Sequence, residues 1–478
     1  MFEPVIAPSA SLLGLLQRGR GDGQLHALAA DRDEAIAALE ECVTSDPRAD
    51  WQVENRSLYY ARVYMELEAP LGGIERHLAH PDDLLDQDEA RTGLALAVLG
   101  HLAAYGRRDA LLLLRQYAAT GGNWAWALDE LALRDDDQAL LALAPAVLGR
   151  FPADPEGEAA LRAALRAAYE PRPWRLWADH YPRIAAAGEQ SPFDLWQRQL
   201  NRAGVTPGWS VADVLAWADG REAGAHPDPA ATDRRAAAAA RCLAAVVRPE
   251  DRPTVLAAAR HGEQGARRAA LRHLVDQDDP AVPELIELAA ADADDRIVRA
   301  ALETLGRMRG PHALEQARRW ADPATGGADS ALGEAAVLLI ADIGVPCDAP
   351  VVVAGLRRWI LLRGVGGEGL GGLVDGAGRL AAVAAVPTLR HIYGEAASSE
   401  LRGRAARALS LTDRHFASGP AVECLWDCEE ATRELAARHV VTTGDARVLE
   451  RLRRLAADPA EEAEVHAAVR GRLTSRDR

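Results

Sequence analysis

Residues 292–323 read DADDRIVRAALETLGRMRGPHALEQARRWADP, and this pattern predicts two short helices joined by a tight turn. An acidic pair, suited to a helix N-terminus, precedes apolar residues at the three- and four-residue spacing of a helix face. Gly310 and Pro311 then interrupt the chain, and proline is tolerated in the first turn of a following helix. Each predicted helix is too short to be stable alone, so neighbouring units are expected to stack.

The chain around this stretch repeats the same unit. An Ala-Ala-Leu run with a second leucine three residues later occurs at 269–274 and again 31 residues on, at 300–305. A similar pair of runs begins at Ala405 and Ala436. The repetition predicts seven helix pairs and a final capping helix at about 460–473. The predicted pairs cover residues 232–261, 262–291, 292–323, 328–363, 366–396, 397–426 and 427–457.

The run from Asp295 to Gly306, DRIVRAALETLG, resembles HEAT-like repeats in the short bacterial form that is also seen in phycobilin lyases. The resemblance is closest at 292–323 and 427–459 and extends over about half of the chain. It implies an α-solenoid in which the second helix of each pair lines the concave face. It implies no single activity, because such folds serve adaptors, transport receptors and a few enzymes.

Composition favours helices throughout, and we predict an all-α chain in three parts. Residues 1–170 form an irregular helical array, 171–231 a junction rich in proline and tryptophan, and 232–478 the regular array with its cap. Five of the 11 tryptophans fall in the junction. We expect the 232–478 array to fold by itself, because its repeats bury each other's apolar stripes.

Charge and residue usage exclude several kinds of function. The 478 residues carry a net charge of −16 and include no lysine, which rules out Schiff-base and phosphate-loop lysines. The negative charge does not favour nucleic acid or anionic membranes. Five scattered cysteines and the lack of a signal peptide or an apolar membrane span predict a cytoplasmic protein.

Two short motifs suggest cofactor or metal chemistry, and both have a simpler interpretation. Residues 364–369, GVGGEG, match a dinucleotide-binding fingerprint but lie between predicted solenoid helices, which favours a flexible loop. Cys424 and Cys428 lie one helical turn apart with His415 and His439 nearby in the sequence. Their spacing differs from that of most zinc sites, which favours buried core thiols. We therefore predict no cofactor, no metal and no catalytic residue.

A recurring arginine pattern in the second helices is the first candidate partner-binding surface. The arginines would form a column on the concave face and bind an acidic partner through forked hydrogen bonds. The alternative is a solvated face with ion pairs to loop carboxylates. The candidate residues are Arg318, Arg319, Trp320, Arg357, Arg358, Trp359, Arg390, Arg453 and Arg454.

The tryptophan-rich junction is the second candidate, since tryptophan is a frequent anchor at interfaces. The alternative is that these residues form a core that joins two helical arrays. The candidate residues are Trp174, Trp177, His180, Trp196, Trp209 and Trp217.

These patterns predict a non-catalytic scaffold or adaptor that binds a protein or peptide on a concave surface. An enzyme is the alternative, because HEAT-like lyases and repeat-fold alkylpurine DNA glycosylases share such helical patterns. The glycosylase alternative requires a basic cleft, which the net charge of −16 opposes. A third possibility is a subunit that modulates another enzyme.

Overall fold

The computed structural model describes residues 6–48, 52, 54–84, 89–189, 209–219, 229–325, 330–367, 369–443 and 445–474. Helices, including short 3-10 turns, make up 76% of these residues, and no strand occurs among them. The predicted all-α fold class is therefore confirmed. None of the helices in these ranges has the length and apolar content that a membrane crossing requires.

The described helices follow the chain in this order. Up to residue 189 they are α1 (Leu12–Gln17), α2 (Gly21–Ala29), α3 (Arg32–Thr44), α4 (Ser57–Glu66), α5 (Gly72–Leu78), α6 (Glu89–Ala104), α7 (Arg108–Thr120), α8 (Trp124–Arg134), α9 (Asp137–Leu148), α10 (Pro155–Ala167), α11 (Arg172–Ala178) and α12 (Pro182–Glu189). The next are α13 (Val211–Asp219), α14 (Pro229–Val246), α15 (Arg252–His261), α16 (Gln264–Asp276), α17 (Val282–Ala290), α18 (Asp295–Leu305), α19 (Pro311–Trp320), α20 (Ala331–Ile343), α21 (Ala349–Arg363) and α22 (Leu370–Arg379). The last are α23 (Val386–Glu395), α24 (Ser399–Thr412), α25 (Pro420–Cys424), α26 (Glu430–His439), α27 (Ala446–Ala457) and α28 (Ala463–Thr474).

These helices belong to two compact units. Unit 1 comprises residues 1–200 and 391–478, and unit 2 comprises residues 201–390. This division does not coincide with the sequence-based boundaries near 170 and 231, because the last repeats pack with the N-terminal helices inside unit 1. The division of the chain into an irregular array, a junction and a regular array remains a prediction.

Residues 292–323 form the predicted helix pair, α18 and α19. The Asp294 side chain accepts a hydrogen bond from the Arg296 N–H and so caps α18. Gly310 adopts a φ of 88°, which favours glycine, and Pro311 begins α19. Both helices bury their predicted apolar stripes, which confirms the local interpretation.

In unit 2, the helix pairs stack on one another in chain order. The first helices α14, α16, α18, α20 and α22 pack in a row, each against the next. The second helices α15, α17, α19 and α21 each pack against the first helix of the following pair. Each pair therefore buries the apolar stripe that it could not cover alone.

In unit 1, buried polar contacts join the N-terminal helices to the last repeats. The Arg402 guanidinium donates two hydrogen bonds to the Asp427 carboxylate, at 2.8 and 3.0 Å. Neither side chain is exposed. The carbonyl oxygen of Gly19 accepts hydrogen bonds from the Cys428 N–H at 2.9 Å and from Arg402 Nη2 at 3.4 Å. The Arg402–Asp427 ion pair between repeats thus also holds the chain segment near residue 19.

The same arrangement recurs one repeat later. Arg433 occupies the helix position of Arg402, three residues before an alanine pair, and donates two hydrogen bonds to Glu461 at 2.9 and 2.7 Å. Arg62 of α4 donates a third, at 3.0 Å. Burial alone would raise the pKa of Glu461, but Arg433 and Arg62 hold that pKa at about 2. Glu461 therefore remains ionised and links α4 to the C-terminal repeats.

Glu423 makes the stability of unit 1 depend on pH in the opposite sense. Burial raises the pKa of Glu423 to about 7, although Arg20 lies 2.8 Å away and lowers it. A raised folded-state pKa contributes stability that is fully present below the unfolded-state value and is lost as the pH rises through about 7. We expect the melting temperature of Glu423→Gln to fall less than that of the wild type between about pH 5 and pH 8.

Thermal melts across this pH range test that expectation, with Glu450→Gln at an exposed helix position as the control. If the melting temperatures of the wild type and Glu423→Gln fell equally between about pH 5 and pH 8, the raised pKa of Glu423 would be contradicted.

The spacing of apolar residues also predicts helices over 51–66, 195–202 and 211–218, and some predicted boundaries differ from the structure. A helix was expected over 51–66, but α4 begins at Ser57, where the Asn55 side chain accepts a hydrogen bond from the Ser57 N–H. The predicted capping helix is present as α28, and the predicted helix over 211–218 is present as α13. The predicted helix over 195–202 lies outside the described residues.

Candidate functional site

The Arg-Arg pairs of α19 and α21 lie in unit 2. In each pair, the first arginine donates hydrogen bonds to a residue of the following repeat. Arg318 Nε and Nη2 donate to the two carboxylate oxygens of Asp348 at 2.8 and 2.9 Å. Arg357 Nη2 donates to the carbonyl oxygen of Ala384 at 3.0 Å. A partner that docked on these guanidinium groups would therefore compete with contacts that join the repeats.

The carboxylate that binds Arg318 is largely buried. The Asp348 side chain is 5% exposed, and its Oδ2 also accepts a hydrogen bond from the Val345 N–H at 2.8 Å. Burial alone would raise the pKa of Asp348, but Arg318 and the Val345 N–H lower it below its ordinary value. Asp348 is thus held as an anion between α19 and α21.

The second arginine of each pair faces a groove. Counted from Pro311 and Pro350, helices α19 and α21 place their Arg-Arg-Trp runs at the same offset. Both helices also turn matching positions toward a groove. Residues 311, 312, 315, 316 and 319 of α19 correspond to 350, 351, 354, 355 and 358 of α21. The first arginine of each pair therefore contacts the next repeat, and the second arginine lines a groove.

The groove on α21, the Trp359 groove, has a volume of about 500 Å³. It is lined by Ala321, Pro323, Glu334, Val337, Pro350, Val351, Ala354, Gly355, Arg358, Trp359 and Leu373. Leu362, which is 58% exposed, lies one turn beyond Arg358 on the same helix face. The lining is mainly aliphatic and aromatic, as in sites that take apolar side chains.

The glycine-rich loop at 364–369 positions Trp359. Trp359 Nε1 donates to the carbonyl oxygen of Gly366 at 3.0 Å, and the Arg363 guanidinium lies 4.3 Å from the ring centroid. Gly369 has a φ of 101°, and a Cβ atom there would lie 2.9 Å from the Trp359 ring. Helix α21 precedes this loop, where a dinucleotide fingerprint requires a strand. These glycines therefore make room for Trp359.

The groove on α19, the His312 groove, has a volume of about 450 Å³ and a more polar lining. It is lined by Val275, Asp278, Asp279, Pro280, Val282, Pro283, Met308, Arg309, Gly310, Pro311, His312, Ala313, Glu315, Gln316 and Arg319. Several of its charges are paired: Asp279 with Arg252 at 2.6 Å, and Glu315 with Arg319 at 2.7 Å. The two grooves therefore offer matching helix positions with different chemistry.

The other predicted arginine and tryptophan residues have separate surroundings. Trp320 is buried and donates to Glu287 Oε1 at 2.7 Å. Arg390 is exposed on α23. Arg453 and Arg454 are exposed on α27 in unit 1, and Arg454 pairs with Glu450 at 3.1 Å. None of these four residues lines either groove.

The junction tryptophans divide between core and surface. Trp174 and Trp177 are buried, and Trp177 Nε1 donates to the carbonyl oxygen of Leu140 at 2.8 Å. Both side chains therefore belong to the hydrophobic core of unit 1. His180 is exposed nearby on the chain. Trp217 is 38% exposed and packs edge to face with Trp209 at 6.0 Å. Trp196 lies outside the described residues.

The two candidate zinc ligands lie in different environments. Cys424 is fully buried, and its Sγ lies 3.2 Å from the Tyr393 hydroxyl. Burial raises the pKa of the Cys424 thiol well above its ordinary value. Cys428 is half-buried beside Arg402. Within the described ranges, no group of three or more His, Cys, Asp or Glu side chains could hold a metal ion.

Comparisons with known proteins do not identify a family. No family model and no curated protein matches the chain. Among solved structures, the chain is similar to a crystal structure of an engineered protein, with 16% identity over 96% of this chain and 99% of that chain. The TM-score is 0.25, which is too low to support an argument about fold or function.

Proposed function

We propose that the protein is a non-catalytic scaffold that binds a protein or peptide segment along the second helices of unit 2. The Trp359 groove carries this proposal, because it combines a sizeable apolar cleft with a half-buried tryptophan, a typical interface anchor. Its volume of about 500 Å³ lies in the range of sites that enclose a ligand.

The proposal includes a HEAT-like α-solenoid in unit 2, with the second helices on its concave, partner-binding face. The row of first helices and the recurring Pro-to-Arg spacing in α19 and α21 support this arrangement. A cytoplasmic location is part of the same proposal. It is supported by five cysteines that are all free, as expected in a reducing compartment.

We expect Ala354→Phe to weaken partner binding at least tenfold without loss of stability. Ala354 is exposed and lines the Trp359 groove, so a phenyl ring would occupy the space of an incoming apolar side chain. The matched control is Ala245→Phe on α14, because Ala245 is also exposed in unit 2 but lines neither groove.

Titration calorimetry with a partner identified by affinity purification, together with thermal melts of both variants, checks this expectation. Unchanged affinity for Ala354→Phe, or equal losses for the two variants, would contradict it.

A further inference from the structure

We infer that one elongated segment occupies both grooves, with an apolar side chain in the Trp359 groove and a lysine or arginine in the His312 groove. This inference rests on the proposed function and adds the chemistry of the partner. Its basis is the contrast between two grooves that matching positions of α19 and α21 create within unit 2.

Matching positions place the two grooves one repeat apart. Residues 312, 315 and 316 of α19 are His, Glu and Gln, whereas residues 351, 354 and 355 of α21 are Val, Ala and Gly. In stacked repeats, each unit contacts only its neighbours, so successive grooves can contact successive parts of a linear ligand. Helices in contact lie about 10 Å apart, so a short extended segment can pass from one repeat to the next.

Charge in the His312 groove favours a cation. The Asp278 side chain is exposed there and makes no hydrogen bond or ion pair with the described residues. Arg309 is engaged with Asp342 at 3.1 Å, and Arg319 with Glu315 at 2.7 Å. Asp278 is therefore the carboxylate in this groove that an incoming cation would meet without displacing an internal ion pair.

The surrounding charge acts in the same direction. Residues 275–319 contain ten carboxylate side chains and six arginines, a net charge of −4, and the whole chain carries −16. A negative surface raises the association rate of a basic partner and opposes an acidic one. A basic partner therefore suits these grooves better than the acidic partner expected for an arginine column, because Arg318 and Arg357 already make contacts between repeats.

The Trp359 groove would bind the apolar side chain of the partner segment. Val351, Ala354 and Gly355 leave a smooth wall beside Trp359, and Arg363 pairs with Glu334 at 2.7 Å at its edge. An aliphatic or aromatic side chain that enters this groove removes apolar surface from water on both partners. The segment is therefore identified by an apolar anchor with a lysine or arginine nearby in the same stretch of chain.

Selection from a random peptide library tests the inference. Displayed peptides are selected on the full chain and counter-selected on Ala354→Phe. We expect a consensus that pairs an apolar residue with a lysine or arginine. A synthetic peptide of that consensus should bind Asp278→Asn at least fivefold more weakly, and this variant retains a residue that tolerates the positive φ of 51°.

A charge exchange completes the test. Asp278→Lys should reject the consensus peptide and bind the peptide in which glutamate replaces the basic residue, whereas Arg319→Glu should not weaken the original peptide. A consensus without a basic residue, or equal binding to Asp278→Asn, would overturn the inference and leave the proposed function standing. Failure to select any peptide that Ala354→Phe excludes would count against both.

Discussion

We expect Arg402→Met to lower the free energy of unfolding of unit 1 by about 3–5 kcal/mol. Arg402 and Asp427 have no exposed side-chain surface and share two hydrogen bonds. Removing the guanidinium leaves the Asp427 carboxylate buried, with the Glu429 N–H as its remaining donor among the described residues. An uncompensated buried charge is far more costly than the net benefit of the intact pair.

Urea unfolding followed by circular dichroism measures this loss, and two further variants control it. Arg438 is an exposed arginine on α26 that pairs with Glu434 of the same helix. We expect Arg438→Met to lower the free energy of unfolding by less than about 1 kcal/mol. Arg402→Met with Asp427→Asn should recover much of the stability, since the buried charge is gone. Similar losses for Arg402→Met and Arg438→Met would show that the buried pair does not hold unit 1 together.

We expect Arg318→Glu to destabilise unit 2 by about 1–2 kcal/mol and Arg319→Glu by less than about 1 kcal/mol. The first change places a carboxylate beside Asp348, whose side chain is 5% exposed. The second breaks an exposed pair in which Arg319 is 66% and Glu315 is 60% exposed. Adjacent arginines on one helix should therefore differ in their effect on stability.

Thermal and urea unfolding of the two single variants tests this difference. Arg318→Gln removes the ion pair with Asp348 without adding a carboxylate, so it separates loss of the ion pair from charge repulsion. Arg318→Gln should be less harmful than Arg318→Glu because it adds no second negative charge. Equal stability for Arg318→Glu and Arg319→Glu would contradict the assignment of Arg318 as a tie between repeats.

Local patterns were sufficient to predict much of unit 2. The cap at Asp294 and the break at Gly310 and Pro311 fix the ends of α18 and α19 through short-range hydrogen bonding and backbone geometry. Proline in the first turn recurs in the second helices α15, α17, α19 and α21. The prediction of helix pairs therefore needed no knowledge of distant contacts.

The environment of the arginines could not be predicted from the sequence in the same way. Arg318 and Arg319 are adjacent and chemically identical, and only the fold decides that one reaches Asp348 and the other lines a groove. A signal was nevertheless present, because the equal offsets from Pro311 and Pro350 identify matching groove positions. The depth of the clefts depends on side chains from other helices, such as Val337 and Leu373.

The role of the N-terminal helices in unit 1 also lay beyond sequence patterns. Gly19 and Arg402 are separated by 383 residues, and Arg62 and Glu461 by 399. No helical periodicity reports such pairing. A fragment over 232–478, which was expected to fold alone, would lack both Gly19 and Arg62, so we now expect its C-terminal repeats to be less stable than in the full chain.

Site-specific photo-crosslinking in the full chain tests the central claim, that a partner segment occupies the Trp359 groove. A benzophenone amino acid is introduced at position 354, which lines the groove, and separately at position 245, which is exposed on α14. After irradiation with the purified partner, mass spectrometry locates the crosslinks. We expect crosslinks from position 354 to one short partner segment that contains an apolar residue, and none from position 245. A partner that binds the chain but crosslinks equally from both positions, or only from position 245, would show that the Trp359 groove is not the binding site.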